Sequence, residues 1–86
     1  MEFKKLTTRQ KEISKLIAYG LSDKEIKERL IIERSTLSTH LNNAYSSLGI
    51  NTKGEHSRPR VLLALTYWKA HLDELVKLDM KRIDNI

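Results

Sequence analysis

The stretch Ser22–Ile50, SDKEIKERLIIERSTLSTHLNNAYSSLGI, decides the fold. Ser22 followed three residues later by Glu25 is a capping-box pattern, which opens a short helix. Ile26 and Leu30 are four apart and share one face of it. Ile31 and Ile32 follow in a tight turn, and at least one of them is expected to be buried. A second helix is predicted from about Arg34 to Leu48, with Gly49 as its stop. Leu37, Leu41, Ala44 and Leu48 recur at spacings of four, three and four, which makes one apolar edge bordered by Tyr45. The opposite edge carries Ser35, Ser38, Thr39, Asn42 and Ser46. Such a helix needs support on one side and leaves the other free, an arrangement suited to insertion into a DNA groove.

Toward the N-terminus, Thr7 and Gln10 form a second capping-box pattern. Ile13, Leu16 and Ile17 then recur at helical spacing, with Arg9, Lys11 and Lys15 on the wet side. Gly20 suits the left-handed position that ends this first helix. Toward the C-terminus, NTKGEHSR (51–58) is polar and reads as a loop. Pro59 is placed as the first residue of a fourth helix, where its missing N–H costs nothing. That helix is predicted to be the longest, 59–78. Val61, Leu65, Trp68, Leu72 and Leu75 follow at alternating spacings of four and three, the rhythm of a coiled coil. Leu62, Leu63, Ala64 and Val76 widen the apolar arc. One edge is expected to pack on the first three helices and a second to seek a partner. The tail DMKRIDNI is expected to fray.

The chain has 86 residues, enough for one small domain over 1–86. Gly and Pro are scarce and fall mostly between periodic segments, and no stretch alternates like a strand, so the fold class is all-α. Sixteen Lys and Arg against eleven Asp and Glu give a formal charge of +5, a moderate basic excess that favours polyanions. There is no Cys, which excludes disulfides and thiolate metal sites. The N-terminus has no apolar run behind its lysines, and the longest apolar run, VLLAL at 61–65, is too short for a membrane span. A soluble, cytoplasmic protein without a membrane partner is expected. His40, His56 and His71 are scattered without metal-ligand spacing. No phosphate loop or nucleophile motif is present. No catalytic, cofactor-binding or metal site is therefore expected, and no enzyme.

Leu6–Ile50 resembles the LuxR-type helix-turn-helix domain. The matching positions are Leu6, Thr7, Arg9, Ile13, Leu16 and Gly20. Ser22, Lys24, Glu25 and Ile26 follow, then Leu30, Ile32, Thr36, Leu37 and His40, and last Asn43, Leu48 and Gly49. The resemblance covers about half of the chain. It implies a four-helix DNA-binding domain, with 6–50 as its core motif, the third helix in the major groove and the fourth often forming a dimer contact. No receiver or ligand-binding domain precedes the motif, so the chain resembles a stand-alone member. Some positions depart from the family. Glu33 stands where Ser or Thr is usual, which weakens the cap of helix three. Lys27 stands in place of Ala, where it must snorkel outward or widen a helix crossing. Serines occupy the often basic positions 38, 46 and 47. The loop after Gly49 and the fourth helix are both longer than usual.

The resemblance places Ser38, Thr39 and Asn42 at base-facing positions. Asn can pair bidentately with adenine, and Ser or Thr can bond either class of base. Thr36 and His40 resemble phosphate-reaching positions. Arg34 and Ser35 lie at a helix start that favours phosphate, and Ser22 and Lys24 open helix two, whose N-terminus faces the backbone in such folds. Lys53, Arg58 and Arg60 are candidate flanking cations. Leu65, Trp68, Leu72 and Leu75 are the expected dimer interface.

The leading expectation is a dimeric, sequence-specific transcription regulator on double-stranded DNA, of bacterial or phage type. Between Arg34 and Leu48 the only formal charge is Arg34. DNA affinity comes largely from neutralised phosphates, so a monomer is expected to bind weakly. The alternative is a protein-interaction module that binds a component of the transcription machinery instead of DNA. A sigma-factor-like fragment shares the same hydrophobic rhythm.

Overall fold

The structure, a computed structural model, describes the backbone of residues 3–84 and the side chains of residues 3–78. A 3-10 turn, Phe3–Lys5, leads into α1 (Thr8–Ala18), α2 (Asp23–Leu30), α3 (Arg34–Leu48), α4 (Pro59–Ala70) and α5 (Leu72–Asp84). There is no strand among the described residues. The all-α expectation holds, as do the bounds of the third helix.

Both capping boxes form. Gln10 N donates to Thr7 Oγ1 at 3.2 Å, and Thr7 N donates to Gln10 Oε1 at 3.1 Å. Glu25 N donates to Ser22 Oγ at 3.2 Å, and Ser22 N to Glu25 Oε1 at 2.9 Å. The Ser22 backbone N–H beside its carboxylate holds Glu25 below the usual range. Glu33 makes no side-chain cap bond to α3, in line with its lacking a short hydroxyl side chain.

α1, α2 and α3 end by the same backbone device. The chain turns left-handed at Gly20 (φ 90°), Ile31 (φ 55°) and Gly49 (φ 68°). The next residue then bonds back into the helix. Leu21 N reaches Leu16 O at 3.0 Å, Ile32 N reaches Lys27 O at 3.1 Å, and Ile50 N reaches Tyr45 O at 2.8 Å. Each of these following residues is apolar and turns inward: Ile50 is buried, while Leu21 and Ile32 pack partly buried against the core. Glycine accepts a left-handed turn without strain, whereas a β-branched residue does not. Ile31 is also 90% exposed, so its side chain gains nothing from the fold.

One residue from each of the first four helices is almost wholly buried: Ile13, Ile26, Leu37 and Leu63. Burying such a side chain is worth about 1.5–3 kcal/mol. Leu41, Ala44, Tyr45 and Leu48 extend the core along α3, and Tyr67 along α4. α4 packs most extensively on α1. Ser14 is buried within α1, and its hydroxyl donates to Gln10 O at 2.7 Å. The N-terminal turn is held by Phe3, whose ring meets Tyr67 and His71 edge-on at 5.5 and 5.2 Å.

The predicted single helix over 59–78 is corrected here: it breaks at His71, between α4 and α5. His71 has φ −132° and ψ 48°, outside the helical region. In an unbroken helix its N–H would bond Tyr67 O. Instead that N–H goes to Trp68 O at 3.1 Å. The imidazole takes its place, with Nδ1 2.9 Å from Tyr67 O. A carbonyl only accepts, so the proton sits on Nδ1. The ring also stacks on Tyr67 at 4.1 Å. α5 then restarts with Glu74 N and Leu75 N bonding His71 O. Its backbone stays helical to Asp84, past the point where fraying is expected, and 85–86 lie outside the described residues.

Glu74 seats α5 against the body. It accepts a hydrogen bond from the Tyr67 hydroxyl and pairs with Lys15 of α1 at 3.7 Å. The Tyr67 hydroxyl is the main reason that its carboxyl lies below the usual range, with Lys15 helping and burial opposing. Burial in turn pushes the Tyr67 hydroxyl well above its ordinary value, and Glu74 adds to that.

Two outcomes follow for stability. Ile31→Gly removes left-handed strain and one exposed apolar side chain. It is expected to raise stability by about 1 kcal/mol, read as a higher urea midpoint at unchanged slope. A lower midpoint would show that the turn is not strained. A depressed carboxyl stabilises the fold above its ordinary range and loses that contribution as pH falls through the folded value. Glu74→Gln is therefore expected to be less stable than the parent at neutral pH, with the gap closing on acidification below the ordinary carboxylate range. Urea midpoints across pH 3–7 read this, and a gap independent of pH would contradict it.

Candidate nucleic-acid interface

The buried edge of α3 fixes which of its residues face solvent. Leu37, Leu41, Ala44, Tyr45 and Leu48 point into the core. At 3.6 residues per turn the positions between them must face outward. Ser35, Thr36, Ser38, Thr39, Asn42, Asn43, Ser46 and Ser47 are all exposed, and His40 is half-buried at the border. The three residues expected to face bases, Ser38, Thr39 and Asn42, thus lie together on one open ridge. Their polar groups differ in what is left to offer. The Thr39 hydroxyl donates to Ser35 O at 2.9 Å. Its proton is spent, and only acceptor capacity remains. Ser38 and Asn42 have no side-chain partner among the described residues.

The residues expected to reach phosphate, and Lys27 of α2, are in three different states of exposure and pairing. Arg34, Ser35 and Thr36 are exposed in the first turn of α3, where no side chain fills the cap. Lys24 is exposed in the first turn of α2. Ser22 is occupied by the capping box on both its hydroxyl and its N–H. Lys27 is only partly exposed and lines an open depression with Ile31, Ile32 and Arg34.

The flanking cations of the loop and α4 divide as well. Lys53 is exposed, with its N–H bonded to Asn51 Oδ1 at 2.9 Å. The Arg58 guanidinium folds back onto Ser57 O at 2.9 Å. Arg60 forms an ion pair with Asp23 at the start of α2. That contact joins residues 37 apart. The only sequence signal near it is the acidic residue in a first helical turn, which the helix dipole alone would explain.

The expected dimer residues are not alike. Leu65 and Leu72 are 52% and 58% exposed, and Val61, Leu62, Leu75 and Val76 are exposed beside them. Trp68 is instead turned toward α1. Its Nε1 donates to Ala18 O at 3.3 Å, and its ring lies 5.1 Å from both Tyr19 and Tyr67. Among the described residues no group of three His, Asp or Glu side chains is placed to hold a metal ion. Among them, too, no helix is long and apolar enough to cross a membrane.

The family model described as bacterial regulatory proteins, luxR family, matches residues 4–57. The oxygen regulatory protein NreC of Staphylococcus aureus is 40% identical over 53 residues, which are 62% of this chain and 24% of that protein. The Fimbriae Z protein of Salmonella typhimurium is 36% identical over 47 residues, 55% of this chain and 22% of that one. A Mycobacterium tuberculosis protein named as an HTH-type transcriptional regulator, Rv0890c, is 35% identical over 48 residues, 56% of this chain and 5% of that one. The chain therefore matches only a quarter or less of the length of these relatives. No solved structure matches it. The matched segment covers α1, α2, α3 and most of the following loop, and the chain belongs to the luxR family of bacterial regulatory proteins, whose members are DNA-binding transcription regulators and not a class of enzymes.

Proposed function

We propose that the chain is a sequence-specific transcription regulator that lays α3 in the major groove of double-stranded DNA and acts as a dimer. The observation that carries this reading is the ridge of Ser38, Thr39 and Asn42, open to solvent on a helix whose other edge is fixed in the core. Asn42 can pair with the N6 and N7 edge of adenine. Thr39, left with acceptor capacity alone, suits the amino group of adenine or cytosine. Ser38 can take either role. Arg34, Ser35, Thr36, His40 and Lys24 would reach the phosphates on either side. Ser22 acts mainly as a cap, since phosphate must compete with Glu25 for it.

Dimerisation rests on the exposed residues of α4 and α5. Leu65, Leu72 and Leu75 fit that role, with Val61, Leu62 and Val76 beside them. Trp68 supports α1 first and can give a partner only its remaining edge. Two half-sites would lie about one helical turn apart or less. A second reading keeps the scaffold and exchanges the partner: the same apolar residues bind a protein of the transcription machinery. The charge-poor α3 and the two carboxylates opening α2 favour it.

Anisotropy titrations against a set of duplexes separate the readings. Asn42→Ala is expected to relax base preference, at a cost of about 1–3 kcal/mol on the best sequence. Lys24→Ala is expected to weaken all sequences alike and to lower the salt slope by about 1. If neither substitution alters DNA binding and a protein of the transcription machinery binds instead, the second reading is correct. Leu65→Glu with Leu72→Glu is expected to halve the mass seen by light scattering without unfolding the chain. An unchanged mass would remove these helices from the seam. Trp68→Glu is unsuited to that test, because it also breaks the packing on α1.

A further inference from the structure

The start of α2 carries two carboxylates, Asp23 and Glu25, at the end that the proposed complex turns toward the sugar–phosphate backbone. Glu25 is consumed by the capping box. Asp23 instead holds the guanidinium of Arg60 in the first turn of α4. Both side chains remain nearly half exposed, at 45% and 44%. Tyr45 of α3 senses the pair: burial raises its hydroxyl, Arg60 opposes and Asp23 reinforces. The ion pair therefore ties the start of α4 to the start of α2, the end that the proposed complex turns toward the backbone.

We propose that Arg60 is a phosphate-contacting residue whose cation Asp23 keeps in check, so that this pair sets how tightly the domain grips a duplex. The proposal rests on the reading that α3 enters the groove. α3 itself brings one cation, Arg34, so the phosphate-neutralising charge must come from its flanks. Arg60 is a flanking cation that another helix holds in a fixed place. A guanidinium has five N–H donors in a plane and can serve a carboxylate and a phosphate together. While it serves Asp23, however, part of its contribution to counterion release is offset. Asp23 is held at that position by the dipole of α2 as well as by Arg60, so it does not simply move away.

The test uses the full chain and a duplex of mixed sequence, about 20 base pairs long, because the counterion effect needs no operator. Anisotropy is measured over a salt series for the parent, Asp23→Asn, Arg60→Gln and the double variant. Asp23→Asn is expected to bind roughly 3–10-fold tighter near 0.1 M salt, and its log–log salt slope to steepen by about 1. Arg60→Gln is expected to bind more weakly than the parent, and the double variant to behave like Arg60→Gln. Arg60→Lys, which keeps the charge, is expected to retain most of the parent slope. If Asp23→Asn tightens binding equally without Arg60, the effect is only a general loss of negative charge and the proposal fails. It also fails if Asp23→Asn leaves affinity and slope unchanged, while the groove reading survives provided that Asn42→Ala still alters base preference. If the folded parent and every variant ignore the duplex at all salt concentrations, both fail together. Thermal unfolding of all five proteins is expected to be alike, since a half-exposed pair holds little stability.

Discussion

Burial of one edge of α3 is the constraint on which the other features depend. Five of its fifteen residues are committed to the core, and they recur at helical spacing. Once that edge is fixed, the outward direction of Ser38, Thr39 and Asn42 is no longer free. A helix held only by loops could rotate about its axis and blur which side chains it presents. Here Leu37 is almost fully enclosed, together with Ile13, Ile26 and Leu63 from the three neighbouring helices. Interiors of this kind are close-packed and resist small rotations. The polar ridge is therefore presented by the apolar side of the same helix, and α1, α2 and the N-terminal turn serve to keep that side occupied.

The chain reversals between helices were only partly legible in the sequence, and the reason is local. Gly20 and Gly49 signal a left-handed stop because glycine accepts it without cost. Ile31 takes up the same conformation against its own preference, so no residue-type rule points to it. What the three stops share is an apolar residue just after the turn: Leu21, Ile32 and Ile50. Turning that side chain into the core is what imposes the turn, even where the residue before it is poorly suited. Ile50 thus belongs to the core, although it borders a run that reads as polar loop. The break at His71 escaped for the opposite reason. Val61, Leu65, Trp68, Leu72 and Leu75 keep an unbroken coiled-coil rhythm across it. The break is made by a side chain that replaces a backbone donor, and periodicity carries no trace of that exchange.

The candidate interface divides along the same line. Exposure of the ridge follows from spacing within one helix and was readable in advance. Whether each polar group is available follows from contacts that spacing does not report. Thr39 has spent its proton on the turn before it, Ser22 is closed by Glu25, and Trp68 has gone to Ala18. Arg60 is paired with a carboxylate 37 residues away. Pairs at that separation become visible only once the helices are assembled.

These contacts also bear on why one copy of the domain would be a poor binder. In the proposed complex the ridge would discriminate among base edges but brings almost no positive charge, and discrimination and affinity have different physical sources. Charge is present in the chain, yet part of it is paired: Arg60 with Asp23, Arg9 with Glu12, Lys15 with Glu74. A second copy would double the phosphate contacts without adding a cation to either ridge, and would turn the second engagement into an intramolecular event. The exposed leucines of α4 and α5 are costly in water unless something covers them. On the proposed reading, weak charge on α3 and surplus apolar surface on α4 and α5 are two sides of one arrangement, in which affinity would be built from paired domains and selectivity from each helix alone.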